Sequence, residues 1–160
     1  MFKGLKRKKV EAYIIENKNS FYRIAYSYTK NEDDALDVVQ ESIYKALYSV
    51  EGLKEISSVK SWFYKILVRT SIDYIRKNKK YINMVDISQI NDNGKNDKYK
   101  DLDLQEALDH LDIEYKTIVI LRYFEDLKID EIASILDENI NTVKTRLYSA
   151  LKKLRVEIEN

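Results

Sequence analysis

Apolar residues recur three and four positions apart along most of this chain, the spacing that lines side chains up on one face of an α-helix. Phe21, Ile24, Ala25 and Tyr28 mark such a face inside a helix predicted over about residues 8–29. A second helix, over about 32–49, carries Ala35, Val38, Val39, Ile43, Ala46, Leu47 and Val50 as its stripe. Asn31 is placed to cap it, with Asp34 at the third helical position supporting the dipole. EGLKEISS, residues 51–58, breaks the repeat and reads as a short loop. Helical spacing returns over about 59–79, where Val59, Phe63, Ile66, Leu67 and Thr70 face inward and Lys60, Lys65, Arg69, Arg76 and Lys77 supply the polar perimeter.

Between about Asn83 and Lys100 the pattern lapses into NDNGKNDK, rich in Asn, Asp and Gly and poor in large apolar residues. That composition predicts a flexible linker. Beyond it the periodicity predicts helices over about 101–109, 113–124, 129–136 and 141–157. The expected fold class is all-α: two small helical domains, residues 1–82 and 101–160, joined by a linker at 83–100. Domains of this size are marginal alone, yet each has enough apolar positions for one core.

Composition supports this reading. The 160 residues are 44% hydrophobic and 34% charged, proline and cysteine are absent, and the glycines are Gly4, Gly52 and Gly94. Helix breakers are thus scarce and a disulfide framework is excluded. No apolar run approaches a membrane span, and no apolar segment follows the basic start as in a signal peptide, so a reduced, cytoplasmic protein is expected.

A net charge of +1 conceals sorting by segment. Lys3, Lys6, Arg7, Lys8 and Lys9 crowd the start, while Glu32, Asp33, Asp34, Asp37 and Glu41 follow on the second helix. Residues 54–80 hold eight Lys or Arg against two acids, and residues 141–155 hold five basic side chains and no acid. One acidic and several basic surfaces suit a basic protein partner and a polyanion together.

Near the C-terminus two short helical patterns flank the turn Asp137–Asn139. Ile129, Ile132, Ala133 and Leu136 line the first, and Val143, Leu147, Ala150, Leu151 and Leu154 line the second. Small Ala133 suits a close crossing of two helices. Asn141 is the expected cap of the second helix, with Thr142 at its first position. The face left over presents Lys144, Thr145, Tyr148, Ser149 and Lys152, with Arg146 on the flank. Arg and Lys read guanine in the major groove, hydroxyls serve bases or phosphates, and Lys152 and Lys153 suit the DNA backbone. A DNA-binding helix-turn-helix, a generic surface helix and a protein-docking helix all fit this periodicity.

Three segments together resemble a bacterial RNA polymerase sigma factor of the sigma-70 family, extracytoplasmic-function type. They are DALDVVQESIYKALYSV at 34–50, SVKSWFYKILVRTSIDYIRKNKK at 58–80, and ALDHLDIEYKTIVILRYFEDLKIDEIASILDENINTVKTRLYSALKKLR at 107–155. Their order and separation are more specific than a lone helix-turn-helix. The resemblance implies a protein that binds core polymerase, directs it to promoters and assists melting. It assigns Asp34, Asp37, Gln40 and Glu41 to polymerase docking. The solvated face that such an acidic cluster usually makes is the alternative. It assigns minus-ten DNA to Gly52, Lys54, Ser57, Ser58, Lys60, Trp62, Tyr64, Lys65, Arg69, Arg76 and Lys77, with the loop holding an extruded base and the helix offering cations and rings. For Trp62 a core position is the favoured alternative, and Arg69 is spaced to pair with Asp73. Minus-thirty-five DNA falls to Thr142, Lys144, Thr145, Arg146, Tyr148, Ser149 and Lys152.

The chain departs from the family in the loop, where Leu53 and Ile56 stand in a segment that is usually more polar or glycine-rich, and at two places near the C-terminus. Lys128 occupies the cap position before residues 129–136, so the cap is missing or supplied by Asp126. The turn has Asp and Asn where glycine and proline are common. The expected partners are core polymerase, promoter DNA and an anti-sigma factor, with no small-molecule substrate. No catalytic residue, metal or cofactor is expected: His110 is the sole histidine, and no phosphate-binding glycine-lysine motif is present. A DNA-binding regulator that acts without polymerase is the chief rival.

Overall fold

A computed structural model describes the backbone of residues 2–84 and 99–159, and the side chains of residues 4–78 and 104–156. The described elements are helical. They divide into two units, for the most part residues 1–78 and residues 79–160.

The first unit opens with α1, Phe2–Glu16, and α2, Lys18–Thr29. The sequence predicted one helix over 8–29. Instead the backbone breaks at Asn17, whose φ of −111° and ψ of 15° leave the helical region. The Asn17 side chain donates to the Tyr13 carbonyl at 2.8 Å, the local bonding by which Asn competes with a helix ladder. The basic start is therefore helical too. Lys30, in the left-handed region at φ 60°, ends α2 by donating its N–H to the Tyr26 carbonyl at 2.8 Å.

Asn31 caps α3, Glu32–Tyr48, as expected, its side chain accepting the Asp34 N–H at 2.9 Å. Ala35, Val38, Val39 and Ala46 are buried along α3. Residues 51–58 are not plain loop. Two tight 3₁₀ turns, Val50–Gly52 and Ile56–Ser58, flank the extended link around buried Leu53.

The long helix α4, Val59–Met84, closes this unit and runs past the predicted end at 79. Phe63 and Leu67 are fully buried, and Phe63 meets Phe21 with ring centroids 4.3 Å apart. Of the expected linker, residues 83–84 belong to α4 and residues 99–100 to α5; the remainder lies outside the described residues.

The second unit begins with α5, Tyr99–His110, and α6, Ile113–Val119, which runs into a π-helical turn at Ile120–Phe124. The wider turn leaves Glu125 N–H bonded to the Ile120 carbonyl at 3.2 Å. Two helices follow, α7, Ile129–Leu136, and α8, Ile140–Glu159. Ala107, Leu108, Leu111, Val119, Ala150 and Leu154 form a core, against which Leu104, Tyr115, Leu147 and Leu151 pack. No helix of the described residues is long and apolar enough to cross a membrane.

Candidate nucleic-acid and polymerase interfaces

The apolar stripe of α3 faces inward, together with Ser42, and the opposite face of the helix is turned to solvent. Asp37, Gln40 and Glu41 are exposed, with Glu41 within 3.6 Å of Lys45 one turn on. Asp34 is half-buried and accepts from the Tyr74 hydroxyl of α4. Burial first, and then this bond to Asp34, raise the Tyr74 hydroxyl above its ordinary pKa. The same face bears large exposed side chains that the charge-based reading passed over: Leu36, Tyr44 and Tyr48. Tyr44 and Tyr48 stack with centroids 6.3 Å apart while remaining 70% and 84% exposed. Leu36, Gln40, Tyr44 and Tyr48 lie at successive steps of four, a signal legible in the sequence.

At the loop, Gly52, Lys54, Ser57 and Ser58 are all exposed. They surround Leu53, which is 1% exposed and roots the loop in the core. On α4, Trp62, Lys65, Arg69 and Arg76 follow at steps of three, four and seven and share one face, with Lys77 beside it. Trp62 is half-buried, neither sealed in the core nor fully displayed.

Tyr64 corrects the sequence reading. It is 4% exposed and meets Phe21 edge to face at 5.6 Å, so its ring has no open surface on which a base can stack. Helix geometry is the reason: two positions beyond Trp62 point to nearly the opposite side. Lys60, two positions before Trp62, also lies on that opposite side.

In the second unit a set of hydrogen bonds orders the chain that leads into α7 and α8. Arg122 donates to the Leu127 carbonyl at 2.9 Å, and Leu127 N–H bonds the Leu121 carbonyl at 3.0 Å. Between them Asp126 adopts φ 54°, which reverses the chain toward α7. Lys128 has no side-chain acceptor to offer the first turn of α7; Glu131 reaches back instead, its carboxylate accepting the Lys128 N–H at 3.0 Å in half of a capping box. Asp137 takes the left-handed conformation, φ 55°, that glycine often provides after a helix. Glu138 N–H then reaches the Ala133 carbonyl at 2.9 Å and closes the end of α7.

The cap of α8 is Asn139, whose side chain accepts the Asn141 N–H at 2.8 Å; the sequence reading placed this cap at Asn141 itself. The helix starts earlier because Ile140 already has its place in it. Val143, Ala150 and Leu154 are buried. Opposite them stand Thr145, Tyr148, Ser149 and Lys152, with Thr142 at the N-terminal end of the same face. Tyr148 is 74% exposed. Lys144 flanks this face on one side and half-buried Arg146 on the other. Arg146 donates to Glu138 of the turn at 3.2 Å. Lys153 is turned to the Tyr115 ring, 4.4 Å from its centroid.

The family model for sigma-70 region 2 matches residues 13–81, and that for sigma-70 region 4 matches residues 101–154. The chain belongs to the sigma-70 family, in its extracytoplasmic-function branch. This sigma factor is 60% identical over 147 residues to RNA polymerase sigma factor SigV of Bacillus subtilis, covering 91% of this chain and 88% of that one. It is 28% identical over 159 residues to the extracytoplasmic-function sigma factor SigW of the same organism, covering 89% and 85%. Its fold resembles that of the sigma factor RpoE of Bartonella quintana, solved with the anti-sigma factor NepR. That match has a TM-score of 0.74 at 22% identity and covers 93% of this chain and 96% of that one. CnrH, solved with the cytosolic domain of CnrY, matches with a TM-score of 0.74 at 16% identity, covering 98% and 96%. As a sigma factor, the chain directs RNA polymerase to promoters.

Proposed function

We propose that the two units divide promoter recognition between them. The exposed face of α3, with Asp37, Gln40 and Glu41, docks on core polymerase, and exposed Leu36, Tyr44 and Tyr48 extend that surface. The loop with Gly52, Lys54, Ser57 and Ser58 receives an unpaired base of the minus-ten element. Trp62, Lys65, Arg69 and Arg76 hold the melted strand by stacking and charge. Helix α8 reads the minus-thirty-five element in duplex DNA through Thr142, Thr145, Tyr148 and Ser149, with Lys144, Arg146 and Lys152 at its edges. The observation that carries this reading is the split of α8 between the buried stripe Val143, Ala150 and Leu154 and the open face opposite.

Binding and isomerisation are the whole of the chain's part, and polymerase supplies the nucleotidyl-transfer site. The protein acts in the cytoplasm, where polymerase and promoters are, and an anti-sigma factor restrains it. RpoE, which shares the fold, was solved in such a complex. Linking two DNA-binding units raises the effective concentration of each at the other's site, so the isolated chain binds promoters weakly. Reconstitution with core polymerase tests the proposal. Promoter-dependent initiation supports it, whereas tight operator binding by the isolated chain without polymerase association overturns it.

A further inference from the structure

The region 2 match begins at residue 13, yet residues ahead of it reach the proposed minus-ten loop. The Lys6 ammonium donates to the Leu53 carbonyl at 2.7 Å, across 47 positions of sequence. One residue on, Arg7 donates to the Leu47 carbonyl at 3.3 Å and pairs with Glu11 at 3.2 Å. Leu47 lies in the last turn of α3, where carbonyls lack helical partners and a cation is favoured. Lys6 is half-buried. Lys8 and Lys9 stay exposed.

We propose that α1 braces the minus-ten loop and that Lys6 is a positioning residue for base recognition, an inference that rests on the loop's proposed role. The Leu53 carbonyl and the Lys54 N–H belong to one planar peptide unit, so a bond to the first fixes the direction of the second. Leu53 is anchored below by burial, and its own N–H bonds the Val50 carbonyl at 3.1 Å. Its carbonyl is held by Lys6. The stretch from Lys54 to Ser58, exposed except for half-buried Ile56, therefore leaves a residue held at both its N–H and its carbonyl, and an extruded base meets donors already aimed. A loop free to rotate there would adapt to several bases, so the brace acts on discrimination more than on affinity.

The test uses the full chain bound to core polymerase. The probes are single-stranded oligonucleotides spanning the minus-ten segment of a promoter from which this holoenzyme initiates, with each base varied in turn. Lys6→Met keeps the aliphatic stem and removes the donor. It is expected to lower the ratio of matched to mismatched binding by about tenfold, the low end of what one hydrogen bond to a charged group contributes, because the bond lost supports the loop and does not touch the base. Core association is expected to be unchanged, and Lys6→Arg to retain most of the discrimination. A native ratio in Lys6→Met overturns the brace. So does a uniform weakening for every base with a salt slope reduced by about 1, which makes Lys6 a phosphate contact. If Lys6→Met and Lys6→Gln both lose the native thermal transition, Lys6 is a folding residue and the positioning role also falls. Ser57→Ala/Ser58→Ala tests the underlying reading separately: native discrimination in that variant removes the loop from base recognition whatever Lys6 does.

Discussion

The two proposed DNA-facing surfaces are built in opposite ways. In the second unit the reading face belongs to one continuous helix, seated on a core that α5 and α6 complete. Val143, Ala150 and Leu154 root α8 in the core, Asn139 caps it, and Glu138 meets Arg146 across eight positions. In the first unit the reading element is a pair of tight turns with few side chains rooted in the core. Its support comes from afar, through Leu53 below and Lys6 from α1. A helix carries its own backbone hydrogen bonds, whereas an irregular loop borrows its rigidity from neighbours. Changes in the distant support should therefore be felt at the loop, and changes in α8 should stay local.

The largest expected effect tests whether the units are separable. Phe63→Ala removes a fully buried ring from the Phe21 cluster and should cost the first unit about 3–5 kcal/mol, with loss of core association. Circular dichroism melting should show the second unit's transition retained. A single transition lost altogether would tie the units into one folding block.

Arg146→Ala is expected to weaken minus-thirty-five duplex binding by holoenzyme by about 1–3 kcal/mol while leaving core association intact. A large loss of core association would remove Arg146 from DNA reading. Matched caps sharpen the comparison further. Asn31→Ala and Asn139→Ala should each cost about 1 kcal/mol, the former in the first unit and the latter in the second. Chemical denaturation of each variant measures the split. The Arg146–Glu138 pair is partly exposed, so Glu138→Gln should change stability by less than about 0.5 kcal/mol and show itself in altered minus-thirty-five preference.

The smallest effect is alkaline. The folded-state pKa of Tyr74 is raised, so the stability linked to its neutral hydroxyl is full below about 10 and fades as pH climbs through the folded value. Tyr74→Phe should flatten that part of the profile in alkaline denaturation. An unchanged profile would place the alkaline loss elsewhere.

Much of the fold was legible because amphipathic helices announce their buried faces. The stripe on α3, its Asn31 cap and the buried positions of α8 follow directly from spacing and side-chain type. The break at Asn17 did not, because apolar spacing carries on through it and neither proline nor glycine marks it. Asn139 and Asn141 are chemically equal as caps, and only the observed start of α8 separates them. Tyr64 was misplaced because an aromatic next to basic residues has the composition of a stacking surface while its position on the helix points inward. Lys6 and Leu53 are too far apart for any local pattern to join them, and Glu138 meets Arg146 only across a turn.

The division of labour is tested most directly by initiation from reconstituted holoenzyme on templates with one promoter element scrambled at a time. Native protein should lose minus-thirty-five-dependent recruitment on one template and strand opening on the other. Arg146→Ala should reproduce the first defect and Ser57→Ala/Ser58→Ala the second. If both variants impair the same step, or if neither template impairs initiation, the assignment of α8 to duplex reading and of the loop to melted DNA is contradicted.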